Sequence, residues 1–237
     1  MSDILIENLV KQYGHGETTV TAVGGIDLQI RSGEFISIMG ESGSGKSTLL
    51  AMMGGLSRPT RGRYVVDGLD VYALTQEQRA DFRREYLGFV FQSFHLLPYL
   101  TVEENVMLPL AALRMKAKEK QARAREALER VGMASKKDRL PGSISGGEQE
   151  RVTVARAVVN HPPILLADEP TGNLDTRNSL AVMGLFRTLN REGTTIVMVT
   201  HSEECAASAE RTLRVSDGKI VMDPTVRNGV LRQTAAC

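Results

Sequence analysis

Eight residues, Gly40-Glu41-Ser42-Gly43-Ser44-Gly45-Lys46-Ser47, constrain this chain more than any others. They follow the apolar run Phe35 to Met39 and precede a helical pattern over Ser47 to Met53, the strand-loop-helix setting in which a glycine-rich loop cradles phosphate. Gly40, Gly43 and Gly45 let the backbone approach phosphate oxygens closely. The N–H groups of Ser42 and Ser44 and the amino end of the helix supply positive potential, and Lys46 adds a point charge. Ser47 offers a hydroxyl to magnesium, and Thr48 continues the phosphate-binding run. A loop of this kind belongs at the carboxyl end of a strand in an open α/β sheet, where ligands of such sheets gather.

The rest of the chain agrees with an α/β fold. Short apolar runs bounded by turn residues recur at Ile4 to Leu9, Leu87 to Phe91, Ile164 to Ala167 and Thr195 to Val199, and read as buried strands. Helical patterns lie between them; Leu180, Met183, Phe186 and Leu189 are spaced to share one helix face. Alternation of this sort predicts a mainly parallel sheet between helices. From Thr101 to Val131 the pattern changes to two helices, the first opened by the capping sequence Thr101-Val102-Glu103-Glu104, and the second, Lys116 to Val131, a solvated face rich in Lys, Arg, Glu and Ala. Ser216-Asp217-Gly218 reads as a hairpin turn between Thr212 to Val215 and Lys219 to Met222. The expected organisation is one domain, with a core of about 1–92 and 161–223, a helical insert of about 93–160 and a disordered tail over 224–237.

The apolar strand Ile164 to Ala167 runs straight into Asp168-Glu169, delivering two carboxylates to the sheet edge where the phosphate loop lies. Asp168 is expected to hold magnesium and Glu169 to act as general base on the attacking water. Other classes fall away on composition. Lys and Arg number 29 against 28 Asp and Glu, a net charge of +1, which leaves no electrostatic footprint for nucleic acid. No apolar run approaches the roughly 20 residues a spanning helix needs, and the first residues lack a secretion signal, so the expected location is the cytoplasm.

Just upstream of that strand stands Ser145-Gly146-Gly147-Glu148-Gln149. With the phosphate loop and Asp168-Glu169, this run makes the chain resemble the ATP-binding subunits of ABC transporters over nearly its whole length. The resemblance implies a P-loop NTPase core, with an antiparallel β portion and an inserted helical subdomain, binding ATP and Mg2+. It implies that Ser145, Gly146 and Gly147 close on the γ-phosphate of ATP held by a second copy, so that two sites form between two chains. Ile144 stands where that family usually has Leu, and Glu148 where it has Gln. By the same resemblance Tyr13 stacks on adenine, Gln92 touches magnesium and water, Asn173-Leu174-Asp175 crosses the dimer interface, and His201 contacts the γ-phosphate. Asp175 also suits a helix cap.

Arg83-Arg84-Glu85, Gly88 to Gln92 and His95-Leu96-Leu97 are similar to the macrolide-export and lipoprotein-release group. That likeness implies a motor that drives a separate membrane permease from the cytoplasmic face of the inner membrane. A cell-division subunit regulating cell-wall hydrolases through a membrane partner is the alternative, since both share Ala167 to Asp175. The apolar stretch Phe94 to Leu100 follows Gln92, and Phe94 and Tyr99 are its expected exposed residues, at the cleft where family members receive a permease helix.

Overall fold

The computed structural model describes residues 3–14, 16–223, 226–227 and 230–231. In chain order the elements begin with β1 (Ile4–Tyr13), β2 (Val20–Ile30), β3 (Phe35–Met39), α1 (Lys46–Met53), β4 (Arg61–Val66) and β5 (Leu69–Asp70). There follow α2 (Gln76–Tyr86), β6 (Leu87–Phe91), α3 (Val102–Met107), α4 (Ala117–Arg130), α5 (Gly146–Val158) and β7 (Ile164–Asp168). The last are α6 (Thr176–Arg191), β8 (Thr195–Val199), α7 (Glu203–Ala206), β9 (Arg211–Ser216), β10 (Lys219–Met222), β11 (Val226–Arg227) and β12 (Val230–Leu231).

Two sheets make the frame. One has the order β10-β9-β3-β8-β7-β6, parallel from β9 to β6 with β10 added antiparallel at its edge. The other, β2-β1-β4-β5, is antiparallel throughout. β3 and β8 are buried along their whole length, as expected of central strands covered on both faces. One face of the parallel sheet shares a core with α1 and the antiparallel sheet, through Ile36, Ile38, Leu49, Ile6 and Leu28. Its other face packs against α3 to α6, through Phe35, Val106, Leu128, Val152 and Phe186.

Where the sequence pattern was strong, the elements fall where it put them. The strands Phe35–Met39, Leu87–Phe91 and Thr195–Val199 are present, Thr101 closes a capping box with Glu104, and Asp217 and Gly218 turn the β9–β10 hairpin with φ of 48° and 73°. β2, β4, β5 and α2 were not foreseen. β2 carries Gly24-Gly25 at its middle and irregular pairing with β1, which hides its alternation. In α2 only Phe82 is fully buried, so no apolar stripe marks the helix. Leu180 does not share the buried face of α6: burial starts at Val182, and Leu180 is 51% exposed because the first turns of the helix stand clear of the core. The tail reading over 224–237 lies outside the described residues, save that β11 and β12 pair with each other.

Candidate functional site

The loop between β3 and α1 is shaped by its neighbours. A Cβ at Gly40 would come within 2.1 Å of Val215 O on β9, and one at Gly45 within 2.0 Å of Ala22 O on β2. Any side chain at either place would push the loop off the sheets that support it. The β9–β10 turn fastens it further: Gly218 N–H donates to Ser44 O at 3.0 Å, and Gly218 O accepts from Gly24 N–H at 2.8 Å. Lys46, only 7% exposed, folds back over the loop, and its Nζ donates to Gly40 O at 2.8 Å and Glu41 O at 2.6 Å. The Ser44 hydroxyl adds a third contact at 3.4 Å, and among the described residues no carboxylate forms an ion pair with this ammonium, which leaves it available to an anion.

β7 ends at Asp168, opposite Phe91 on β6 and Val199 on β8. Ser47 Oγ donates to Asp168 Oδ1 at 3.1 Å, joining the first turn of α1 to the end of β7. Burial pushes the Asp168 carboxyl above its ordinary range; the Ser47 hydrogen bond opposes this, Glu169 adds to it, and Lys46 opposes it. Glu169 adopts a left-handed φ of 49°, uncommon outside glycine, and its N–H donates to Val199 O at 2.9 Å. That twist carries its carboxylate toward the end of β8, where Oε2 accepts from the His201 main-chain N–H at 3.3 Å and lies 2.9 Å from His201 Nδ1. Gln92 follows Phe91 directly. Its carbonyl accepts from Asn173 Nδ2 at 2.8 Å, and a Cβ at Gly172 would lie 3.1 Å from its Nε2, so the Gln92 and Asn173 loops touch.

Phosphate loop, Asp168, Glu169, Gln92 and His201 therefore meet at one sheet edge. Tyr13 ends β1 opposite Val20 on β2, half exposed, with Lys11 Nζ 5.0 Å from its ring centre. Ser145, Gly146 and Gly147 stand elsewhere, at the amino end of α5; among the described residues no hydrogen bond joins them to the phosphate loop. Ser145 caps α5, and Gly147 fits against α6 so closely that a Cβ would fall 2.1 Å from Asn178 Oδ1. Asp175 caps α6, accepting from Asn178 N–H at 2.8 Å.

Three features were not legible beforehand. Arg156 Nη1 and Nη2 donate to His95 O at 2.6 Å and Phe94 O at 2.8 Å, gripping the loop after Gln92. Its partners are backbone carbonyls, so no pattern of side chains announces it. Lys136 pairs with Glu148 in the capping box of α5. Glu150 is buried, with its Oε1 unbonded, and burial pushes its carboxyl up to about 8.

Comparison with known proteins matches residues 23–172 to the family model described as ABC transporter. The chain is 46% identical over 220 residues to the uncharacterized ABC transporter ATP-binding protein YvrO of Bacillus subtilis, covering 93% of this chain and 96% of YvrO. It is 49% identical over 213 residues to the macrolide export ATP-binding/permease protein MacB of Chlorobium luteolum, covering 90% of this chain but 32% of that one. Among solved structures, the dimeric post-hydrolysis state of the ATP-binding cassette MJ0796 bound to ADP and Pi superposes with a TM-score of 0.86 at 40% identity, over 95% of this chain and 99% of that one. With a glycine loop, a Ser-Gly-Gly helix cap and a strand-end carboxylate pair in that order along it, the chain belongs to the ABC transporter family, as one of its ATPase cassettes.

Proposed function

We propose that this ATPase is the motor of an export system: two copies close on ATP, hydrolyse it and drive a membrane permease of the macrolide-export and lipoprotein-release kind. The observation that carries the reading is the placement of Glu169. Its carboxylate is set by a left-handed backbone and by His201, beside an Asp168 already bonded to Ser47. In that position Glu169 takes the proton of the attacking water as its oxygen bonds to the γ-phosphorus and ADP leaves, while His201 contacts the γ-phosphate. Lys46 and the amides of Gly40, Ser42, Gly43, Ser44, Gly45, Ser47 and Thr48 hold the phosphates, and Tyr13 stacks on adenine.

The oxygens of Ser47 and Asp168, 3.1 Å apart, are hard donors of the type Mg2+ prefers, and few in number as that ion requires. With Gln92 they would hold it, and the bound ion would neutralise charge on the β- and γ-phosphate oxygens.

Ser145, Gly146 and Gly147 lie away from their own loop, which supports their serving a second copy; the dimeric MJ0796 cassette shares the fold. A groove of about 630 Å3, lined by Leu56, Arg83, Phe89, Phe91, His95 and Arg156, opens beside the loop that Arg156 grips, and suits an amphipathic permease segment. No helix among the described residues is long and apolar enough to cross a membrane. On this reading the subunit sits on the cytoplasmic face of the inner membrane, held by its partner. Likeness to MacB supports export over control of cell-wall hydrolases. Light scattering on the Glu169→Gln variant tests the two-chain site: dimers with ATP and Mg2+ but not with ADP support it, and monomers under both conditions overturn it.

A further inference from the structure

A carboxylate at Glu148 is an odd neighbour for an anion site. It occupies the third position of α5, and its Oε2 accepts from Ser145 N–H at 2.9 Å while Ser145 Oγ accepts from Glu148 N–H at 3.4 Å. That reciprocal cap stabilises the helix end and a negative charge there is favourable to the helix itself. The same charge opposes a phosphate arriving at Ser145 and the glycine amides, because both compete for one positive end.

The structure answers with a cation from a different element. Lys136, in the turn of 3-10 helix Ala134–Lys136 that follows α4, places Nζ on Glu148 Oε1, leaving Oε2 to complete the cap. Neighbouring Lys137 is committed elsewhere, to Asp138 and Glu103. The Glu148 side chain is 18% exposed, so the pair is shielded from solvent on the carboxylate's side. The ammonium holds the Glu148 carboxyl far below its usual range, at about 2, so the charge is present at every working pH and has to be offset rather than protonated away.

We propose that Lys136 is a positioning residue for the Ser145 anion site: acting through Glu148, it neutralises the carboxylate and keeps it turned into the helix cap, so that the amino end of α5 accepts the γ-phosphate carried by a second copy. The inference rests on the two-chain reading above. It explains how Glu can stand at this position at all, since an uncharged side chain there needs no such partner.

The test is a charge cycle in the Glu169→Gln background, with ATP-driven dimerisation read by light scattering over a concentration series. Lys136→Met weakens dimerisation about tenfold, the effect of some 1.4 kcal/mol of unfavourable charge, and added salt narrows the gap. Lys136→Arg retains dimerisation. Glu148→Gln, which keeps the cap, dimerises at least as well as the parent, and the Lys136→Met, Glu148→Gln double variant recovers what Lys136→Met alone loses. Binding of ATP to the monomer's own loop stays unchanged throughout, and circular dichroism confirms that each variant is folded. Equal loss from Lys136→Met with Glu148 or Gln at position 148 overturns the proposal, since Lys136 would then touch phosphate directly. No loss from Lys136→Met overturns it also. A parent that never dimerises with ATP overturns the two-chain reading and this inference together, whereas dimers insensitive to Lys136 sink this inference alone.

Discussion

His201 Nδ1 lies 2.9 Å from Glu169 Oε2, and the main-chain N–H of the same histidine points at the same oxygen from 3.3 Å. One residue just past the end of β8 thus meets the carboxylate of the residue that follows β7 through two separate nitrogens. Since the β7–β8 ladder fixes Asp168 opposite Val199, the position of Glu169 is set by sheet register, with the side-chain bond as the last adjustment.

Binding and chemistry should separate along this line. Glu169→Gln keeps ATP affinity and slows phosphate release by roughly 10²–10⁴-fold, the contribution of a general base. Lys46→Ala loses affinity and activity together, because it removes the cation inside the loop. A fluorescent-nucleotide titration beside a phosphate-release assay reads both; ordinary phosphate release from Glu169→Gln would remove that residue from the role.

Asp168 should show function held at the expense of stability. Burial raises its carboxyl pKa, so the folded state holds the proton more tightly than the unfolded chain, and stability falls as pH rises through the raised value. Asp168→Asn, which keeps the Ser47 contact and drops the charge, raises the nucleotide-free melting temperature at pH 7 by roughly 2–4 °C. The same variant hydrolyses no ATP. Calorimetry and phosphate release decide the pair, and a lower melting temperature contradicts the account.

Glu150 carries the clearest pH signature. Its carboxyl, at about 8 in the fold against 4.5 as a free side chain, binds an extra proton in the folded state across that window. Stability contributed by the neutral form is therefore complete below 4.5 and is lost as pH climbs through 8. Glu150→Gln is expected to gain about 1–3 kcal/mol more, relative to the parent, at pH 8.5 than at pH 5. Urea titrations at the two pH values measure it; parallel stability curves for parent and variant would place the carboxyl in an ordinary environment.

Tyr99 is 72% exposed in the loop that follows Gln92, whereas Phe94 is half buried with its ring against Gly146. Tyr99→Asp should leave folding and ATP binding intact and abolish co-purification with the membrane partner. Phe94→Asp should instead disturb the amino end of α5 and lower ATP-driven dimerisation as well. Pull-down with a tagged permease and light scattering distinguish the two; loss of neither property in Tyr99→Asp removes that residue from the docking face.

Two parts of the candidate site stand out because they come in contiguous runs whose spacing is dictated by backbone chemistry, Gly40 to Ser47 after a strand and Asp168-Glu169 at the end of another, whereas Ser145 to Gly147, Tyr13, Gln92 and His201 were picked out by family resemblance. The antiparallel sheet was mostly invisible, since β2 is broken by Gly24-Gly25 and β4 opens on Arg61 and Arg63. Arg156, Lys136 and Glu150 escaped for another reason. Arg156 grips backbone carbonyls, Lys136 reaches a side chain on another element, and Glu150 is set apart by burial, and only tertiary packing creates these settings.

The strand that carries the phosphate loop lies between β8 and β9, and the loop itself is fastened to Gly218. A ribosome therefore emits the glycine loop before β8, β9 and Gly218, which flank and fasten it. Until β9 and the β9–β10 turn have been made, β3 has at most one of its two lateral neighbours, β8, and Ser44 O lacks the Gly218 N–H. The phosphate loop is thus finished by chain made long after it, and its supported shape waits on the β9–β10 turn.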